Sequence, residues 1–84
     1  MATFEALVEV SLRPGIADPQ GATIEKALPA LGFEGISAVR AGKAFRLTVE
    51  AGDEETAKQR VDDLCRRFLT NPVIEDSTVS IHKT

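Results

Sequence analysis

The sequence is short of nearly everything that soluble proteins use for covalent or aromatic chemistry. It has one cysteine, one histidine, four phenylalanines and neither tryptophan nor tyrosine. A single Cys65 cannot build a disulfide framework or a thiolate metal site within one chain, which fits a reducing compartment. His82 has no second histidine to share a metal or relay a proton, and it lies close to the chain end, where an exposed tail position is expected. No long apolar run is present, so no membrane span is expected. Nor is there a basic excess: ten Lys and Arg stand against thirteen Asp and Glu, a net charge of -3. Such a chain has little field for phosphate backbones, and nucleic acid is not an expected partner. The first residues, Met1-Ala2-Thr3-Phe4-Glu5, lack the basic and apolar regions of a secretory signal, so a cytoplasmic protein is expected.

What is present is enough for one small domain. Eighty-four residues bury about 60 to 65 % of their unfolded surface, which supports one core and not two, so residues 1–84 are read as a single domain. Stability is then marginal unless subunits associate.

Phe4, Ala6, Val8, Val10 and Leu12 alternate with Glu5, Leu7, Glu9 and Ser11, the period-two pattern of a half-covered strand. Arg13-Pro14-Gly15 ends it. Asp18-Pro19 is a helix start, with a capping carboxylate and a proline at the first helical position. Ile24, Ala27, Leu28 and Leu31 then share one side, and Gly32 supplies the left-handed stop. Pro29 removes a hydrogen bond to the Glu25 carbonyl, so a bend or a loosened last turn is expected there.

Ile36 to Arg40 reads as a short strand joined through Ala41-Gly42 to a return strand bearing Phe45, Leu47 and Val49. Asp53 caps a second helix with Glu54 and Glu55 in its first turn. The apolar side of that helix is expected to be Ala57, Val61, Leu64, Cys65 and Phe68. Asn71-Pro72 stops it. A last strand, with Val79 and Ile81 alternating with Thr78, Ser80 and His82, is expected at a sheet edge.

The order strand, helix, strand, strand, helix, strand predicts an α+β fold. Its form is a two-layer ferredoxin-like sandwich, with two helices on one face of a four-stranded, mainly antiparallel sheet. Leu7, on the face away from the helices, suggests that the open side pairs with another copy.

The residues offer no catalytic constellation. Cys65 on an apolar helix side behaves as a small hydrophobe. Asp62, Asp63, Glu54 and Glu55 solvate a helix. Glu75 and Asp76 cluster in a turn beside Asn71 and Pro72, which makes them turn formers first. Gly42-Lys43 lacks the remaining residues of a phosphate loop. The fold order alone is shared by RNA-binding sheets, metal-binding domains, acylphosphatases and amino-acid-sensing regulatory domains. RNA binding would want an aromatic stacking pair, metal binding a cysteine pair, and an acylphosphatase an arginine cradle with a water-orienting asparagine; Arg13-Pro14 is a poor match. A small-molecule-sensing regulatory domain remains the alternative to an assembly role.

Taken along its length, the sequence resembles the PurS family, the small accessory subunit of phosphoribosylformylglycinamidine synthase. The resemblance is carried by Val8-Glu9-Val10-Ser11-Leu12-Arg13 leading to Asp18-Pro19-Gln20-Gly21. It continues through Leu28, Leu31-Gly32-Phe33, Val39-Arg40, Gly42-Lys43 and Asn71-Pro72-Val73-Ile74-Glu75-Asp76. It implies a PurS-like fold and a part in an ATP-consuming carbon-nitrogen ligase of de novo purine biosynthesis. It also implies two partners: a glutaminase subunit that releases ammonia, and a large synthetase subunit that activates formylglycinamide ribonucleotide. ATP and Mg²⁺ belong to the synthetase, with no cofactor, metal or catalytic residue in this chain. A dimer or tetramer is implied. Asp18, Gln20, Arg40, Lys43, Asn71 and Glu75 are the candidate docking or turn-forming residues.

Overall fold

The computed structural model describes every residue from Met1 to Thr84. Strand β1 (Ala2–Leu12) lies at the centre of the sheet, paired antiparallel on one side with β2 (Gly42–Ala51) and on the other with β3 (Glu75–Lys83). In register, Ala6 faces Leu47 and Ile81, and Val8 faces Phe45 and Val79. The alternation of β1 is read out directly: Phe4, Ala6, Val8 and Val10 are buried while Glu5 and Glu9 face solvent.

Helix α2 (Glu54–Leu64) covers the inner face. Asp53 caps it by accepting from the Thr56 amide at 2.7 Å, and Glu54 and Glu55 sit in its first turn, where the dipole favours them. Ala57, Val61 and Cys65 are buried against β1.

Beyond Leu64 the helix widens into a π turn over Cys65–Leu69, and the Thr70 amide and hydroxyl both reach back to the Cys65 carbonyl. One extra residue in a turn rotates the residues after it by about 100°. Leu69 therefore packs against the core, and Phe68, expected there from α-helical spacing, is 81 % exposed. Leu64, also expected inward, is partly exposed.

Two expectations are corrected. The sheet has three strands, since Ile36 to Arg40 joins no strand and the return strand β2 already begins at Gly42. Its alternation is real, but Ala38 sits at φ +56°, in the left-handed region, which interrupts an extended run. The second correction concerns the layers. Helix α1 (Pro19–Ala27) begins at the end of the sheet and packs chiefly on the turn at its own C-terminus, whereas α2 packs on all three strands. Only one helix covers the face, so the two-helix sandwich is incomplete within one chain.

The end of α1 is set by Pro29. With no Pro29 amide available, the Glu25 carbonyl accepts from Leu28, and the chain tightens into a 3₁₀ turn over Pro29–Leu31. Gly32, at φ +89°, then closes a Schellman arrangement: its amide donates to Pro29 and that of Phe33 to Leu28. The molecule is 52 Å long and 14 Å thick, with a radius of gyration of 16.5 Å. A compact chain of this length would have about 12 Å.

Candidate functional site

Three element starts and one strand end meet at the same end of the sheet. There β1 gives way to the Arg13 turn, α1 begins at Asp18, β2 at Gly42 and β3 at Glu75. The topology thereby gathers residues far apart in sequence. A cleft of ≈350 Å³ between them is lined by Val10, Leu12, Asp18, Gln20, Lys43 and Glu75 among others.

Asp18 is the most engaged of these. One carboxylate oxygen accepts from the Gly21 amide at 2.9 Å and the other from the Ala41 amide at 2.7 Å, with the Arg40 guanidinium 3.9 Å away. The side chain is 7 % exposed. Hydrogen bonds from Gly21 and Ala41, aided by Arg40, hold its carboxyl below its ordinary 3.8 despite partial desolvation. Gly21 must be glycine here, because a Cβ would stand 2.6 Å from the Val39 carbonyl oxygen and 2.5 Å from the Asp18 carboxylate.

Glu75 plays the matching part on the other side. It accepts from the Asn71 amide at 2.8 Å and pairs with the Lys43 ammonium at 3.5 Å, while Asn71 Oδ1 accepts from the Val73 amide at 3.1 Å. Lys43 also lies 5.9 Å from the centre of the Phe45 ring.

All six candidates thus converge: Asp18, Gln20, Lys43 and Glu75 at the cleft, Arg40 through Asp18, and Asn71 through Glu75. Each carboxylate holds a backbone amide and a cation, which fixes loop geometry. The cations keep their outer sides free, with the Arg40 and Lys43 side chains about half exposed.

Two contacts were not anticipated. Glu25 accepts from the Val39 amide at 2.8 Å, and Arg13 pairs with Asp76 at 3.3 Å. The spacing of Glu25 from Asp18, seven residues and so the same helix side, is the signal that could have found the first. Arg13 also donates to the Glu75 carbonyl, and its amide donates to the Ile74 carbonyl, so three contacts of Arg13 tie the end of β1 to the start of β3.

The remaining reactive side chains lie elsewhere. Cys65 is buried, and desolvation pushes its thiol up from its ordinary value, so it packs as a hydrophobe. His82 belongs to β3, opposite Glu5 on the open sheet face, and not to a loose tail. That face also carries Arg46, Thr48, Thr78 and Ser80 around the half-buried Leu7, so it is polar where pairing with a second copy was expected. No helix is long and apolar enough to cross a membrane.

Comparison with known proteins agrees with this architecture. Residues 5–83 match the family PurS, described as phosphoribosylformylglycinamidine (FGAM) synthase. The Synechocystis protein named phosphoribosylformylglycinamidine synthase subunit PurS is 43 % identical over 74 residues, 88 % of this chain and 74 % of that one. The Methanocaldococcus jannaschii PurS crystal structure, described as one of the subunits of formylglycinamide ribonucleotide amidotransferase, superposes with a TM-score of 0.86. It is 33 % identical and covers 96 % of this chain and 98 % of that one. The PurLQS structure from Thermotoga maritima contains a chain that superposes with a TM-score of 0.91 at 34 % identity, covering 98 % of this chain and all of that one. With a family match along almost the whole length and relatives well above 30 % identity, this chain belongs to the PurS family, the accessory subunits of phosphoribosylformylglycinamidine synthase in purine biosynthesis.

Proposed function

We propose that the chain works by position: it holds a glutaminase subunit and an ATP-dependent synthetase subunit in register, so that ammonia from glutamine reaches formylglycinamide ribonucleotide. The observation that carries this reading is the convergence of Asp18, Gln20, Arg40, Lys43, Asn71 and Glu75 at one end of the sheet. The carboxylates of Asp18 and Glu75 and the Asn71 Oδ1 are spent on backbone amides and on the neighbouring cations, which suits a rigid docking surface. The half-exposed Arg40 and Lys43 are the groups left to meet acidic residues of a partner.

Rigidity has a chemical purpose in such an assembly. Ammonia that escapes to water is protonated and lost as a nucleophile, so a fixed, dry alignment of two active sites raises the yield per glutamine. ATP and Mg²⁺ act on the synthetase. The chain further self-associates as a dimer or tetramer, a reading supported by its elongation and by its exposed Ile24, Leu31, Phe33 and Ile36.

Sedimentation of the two larger subunits with and without this chain tests the bridging role. With it, glutaminase and synthetase should travel as one species, and Lys43→Glu should weaken that association. If they associate equally well in its absence, the reading fails.

A further inference from the structure

Apart from the terminal Met1, Phe68 is the most exposed large apolar side chain, and it directly follows two arginines at the end of α2. We infer that Phe68 anchors a docking patch on the π turn, and that the patch fits an apolar pocket rimmed by Asp and Glu on one of the two larger subunits. This rests on the docking role just proposed and names the chemistry of the surface that the partner must offer.

The patch is apolar at its centre and positive at its border. Leu64, one turn earlier on the same side of the helix, is partly exposed, and Val73, in the turn that follows, is 77 % exposed. The only carboxylate that pairs with Arg66 or Arg67 is Asp63, 3.8 Å from the first and 3.3 Å from the second. Two guanidinium charges therefore share one counter-charge. A helix C-terminus favours cations, which accounts for the arginines but not for an aromatic ring set out in water beside them. Aromatic and arginine side chains together are what the dense centres of protein interfaces are made of.

The ring is also held where it stands. The Thr70 amide and hydroxyl both bond the Cys65 carbonyl, and the Asn71 amide is fastened to Glu75, so the turn is tied down beyond Phe68. Little order has to be gained on binding, which favours affinity. The widened turn gives the inward position to Leu69 and sets Phe68 outward, and turns of this kind recur at functional sites. Asn71 also makes the patch continuous with the docking end, since Glu75 links it to Lys43. Arg40, Lys43, Arg66 and Arg67 thus present their charges at the end of the molecule where α2 finishes and β3 begins.

Charge decides between a foreign pocket and a second copy. A two-fold contact centred on Phe68 would set four arginines against one another, a like-charge arrangement that opposes association. Self-association has apolar residues of its own, Ile24, Leu31, Phe33 and Ile36, on the arm from Pro19 to Ala41. A pocket with an acidic rim answers both features of the patch: it takes the ring, and its carboxylates pair with the guanidinium groups.

The test measures binding of the full chain to the purified synthetase and to the purified glutaminase, separately and together, by surface plasmon resonance at several salt concentrations. Phe68→Ala should melt with the parent chain yet bind one of the two at least about thirty-fold more weakly, and Phe68→Leu should recover most of that loss. Arg66→Glu combined with Arg67→Glu should slow association about tenfold or more at low salt and flatten its salt dependence. Lys58→Glu, earlier on α2, should do neither. Parent-like affinity of Phe68→Ala for both subunits would overturn the inference, and so would a double variant that associates as fast as the parent. An altered mass of the Phe68→Ala chain by itself, with unchanged binding, would assign the ring to contacts between copies and overturn it as well. If the parent chain binds neither subunit nor the pair, the docking role itself fails; if the parent binds and Phe68→Ala binds equally, only the Phe68 patch does.

Discussion

The Asp18 carboxylate lies 2.7 Å from the backbone nitrogen of Ala41, a residue twenty-three positions further along the chain. This one bond joins the helix cap of α1 to the run-in of β2, and so sets where the arm points. The second oxygen is occupied by Gly21. An amide in place of the carboxylate keeps one acceptor and loses the other.

Asp18→Asn should therefore melt lower than the parent chain at neutral pH, and the gap should be pH-dependent. Because the folded carboxyl titrates below its ordinary 3.8, its stabilisation is complete above that value and is lost as pH falls through the folded value. Calorimetry from pH 7 down to pH 3 should show the two melting curves converging in acid. A constant gap would mean that the charge of Asp18 is irrelevant.

Gly21→Ala reverses a usual rule. In an exposed helix interior the change would stabilise by about 1 kcal/mol. Here the new methyl meets the Val39 carbonyl oxygen at 2.6 Å, against backbone that Glu25 and Asp18 hold in place. Overpacking of this kind costs about 1 to 3 kcal/mol, so the urea midpoint should fall.

Ala38 carries the one positive φ outside glycine, +56°. The left-handed region costs an ordinary L-residue about 1 to 2 kcal/mol, and a β-branched one more. Ala38→Gly relieves this but adds about 0.4 to 1 kcal/mol of unfolded-state entropy. Urea midpoints should thus run with glycine level with or above the parent chain, and Ala38→Val clearly below both. Valine at parity would show that Ala38 does not hold this conformation in solution.

The π turn makes neighbouring residues unequal. Leu69→Ala removes core packing and should cost about 2 kcal/mol, whereas Phe68→Ala at an 81 % exposed position should change stability by under about 0.5 kcal/mol. A regular α-helix through Leu69 would give the opposite order. Thermal melts of the two variants decide it.

How much of this could be read from the residues depends on whether a signal is local. The alternation of β1, the caps Asp18 and Asp53, the Pro29 disturbance and the Gly32 stop are decided by neighbours a few positions away, and each is where the sequence puts it. The edge position of β3 is also borne out. Phe68 defeats the reading because one inserted residue in a turn shifts a whole face, and five-residue turns leave no compositional mark. Ile36 to Arg40 defeats it because a strand needs a partner, and alternation shows an apolar face without saying what covers it. The apolar side of α1 fails in the same way: its pattern marks a face to be buried, not the chain that buries it. The six candidate residues were legible as separate turns, but only the β1-centred topology brings them to one end of the sheet.

The central claim is that this chain supplies alignment and not chemistry, and the most direct measurement compares two nitrogen sources. With synthetase and glutaminase present, formylglycinamidine ribonucleotide synthesis is followed once with glutamine and once with added ammonia, with and without the chain. Omitting it should collapse the glutamine-driven rate and leave the ammonia-driven rate nearly unchanged. Equal losses with both sources, or no loss with glutamine, would contradict the account.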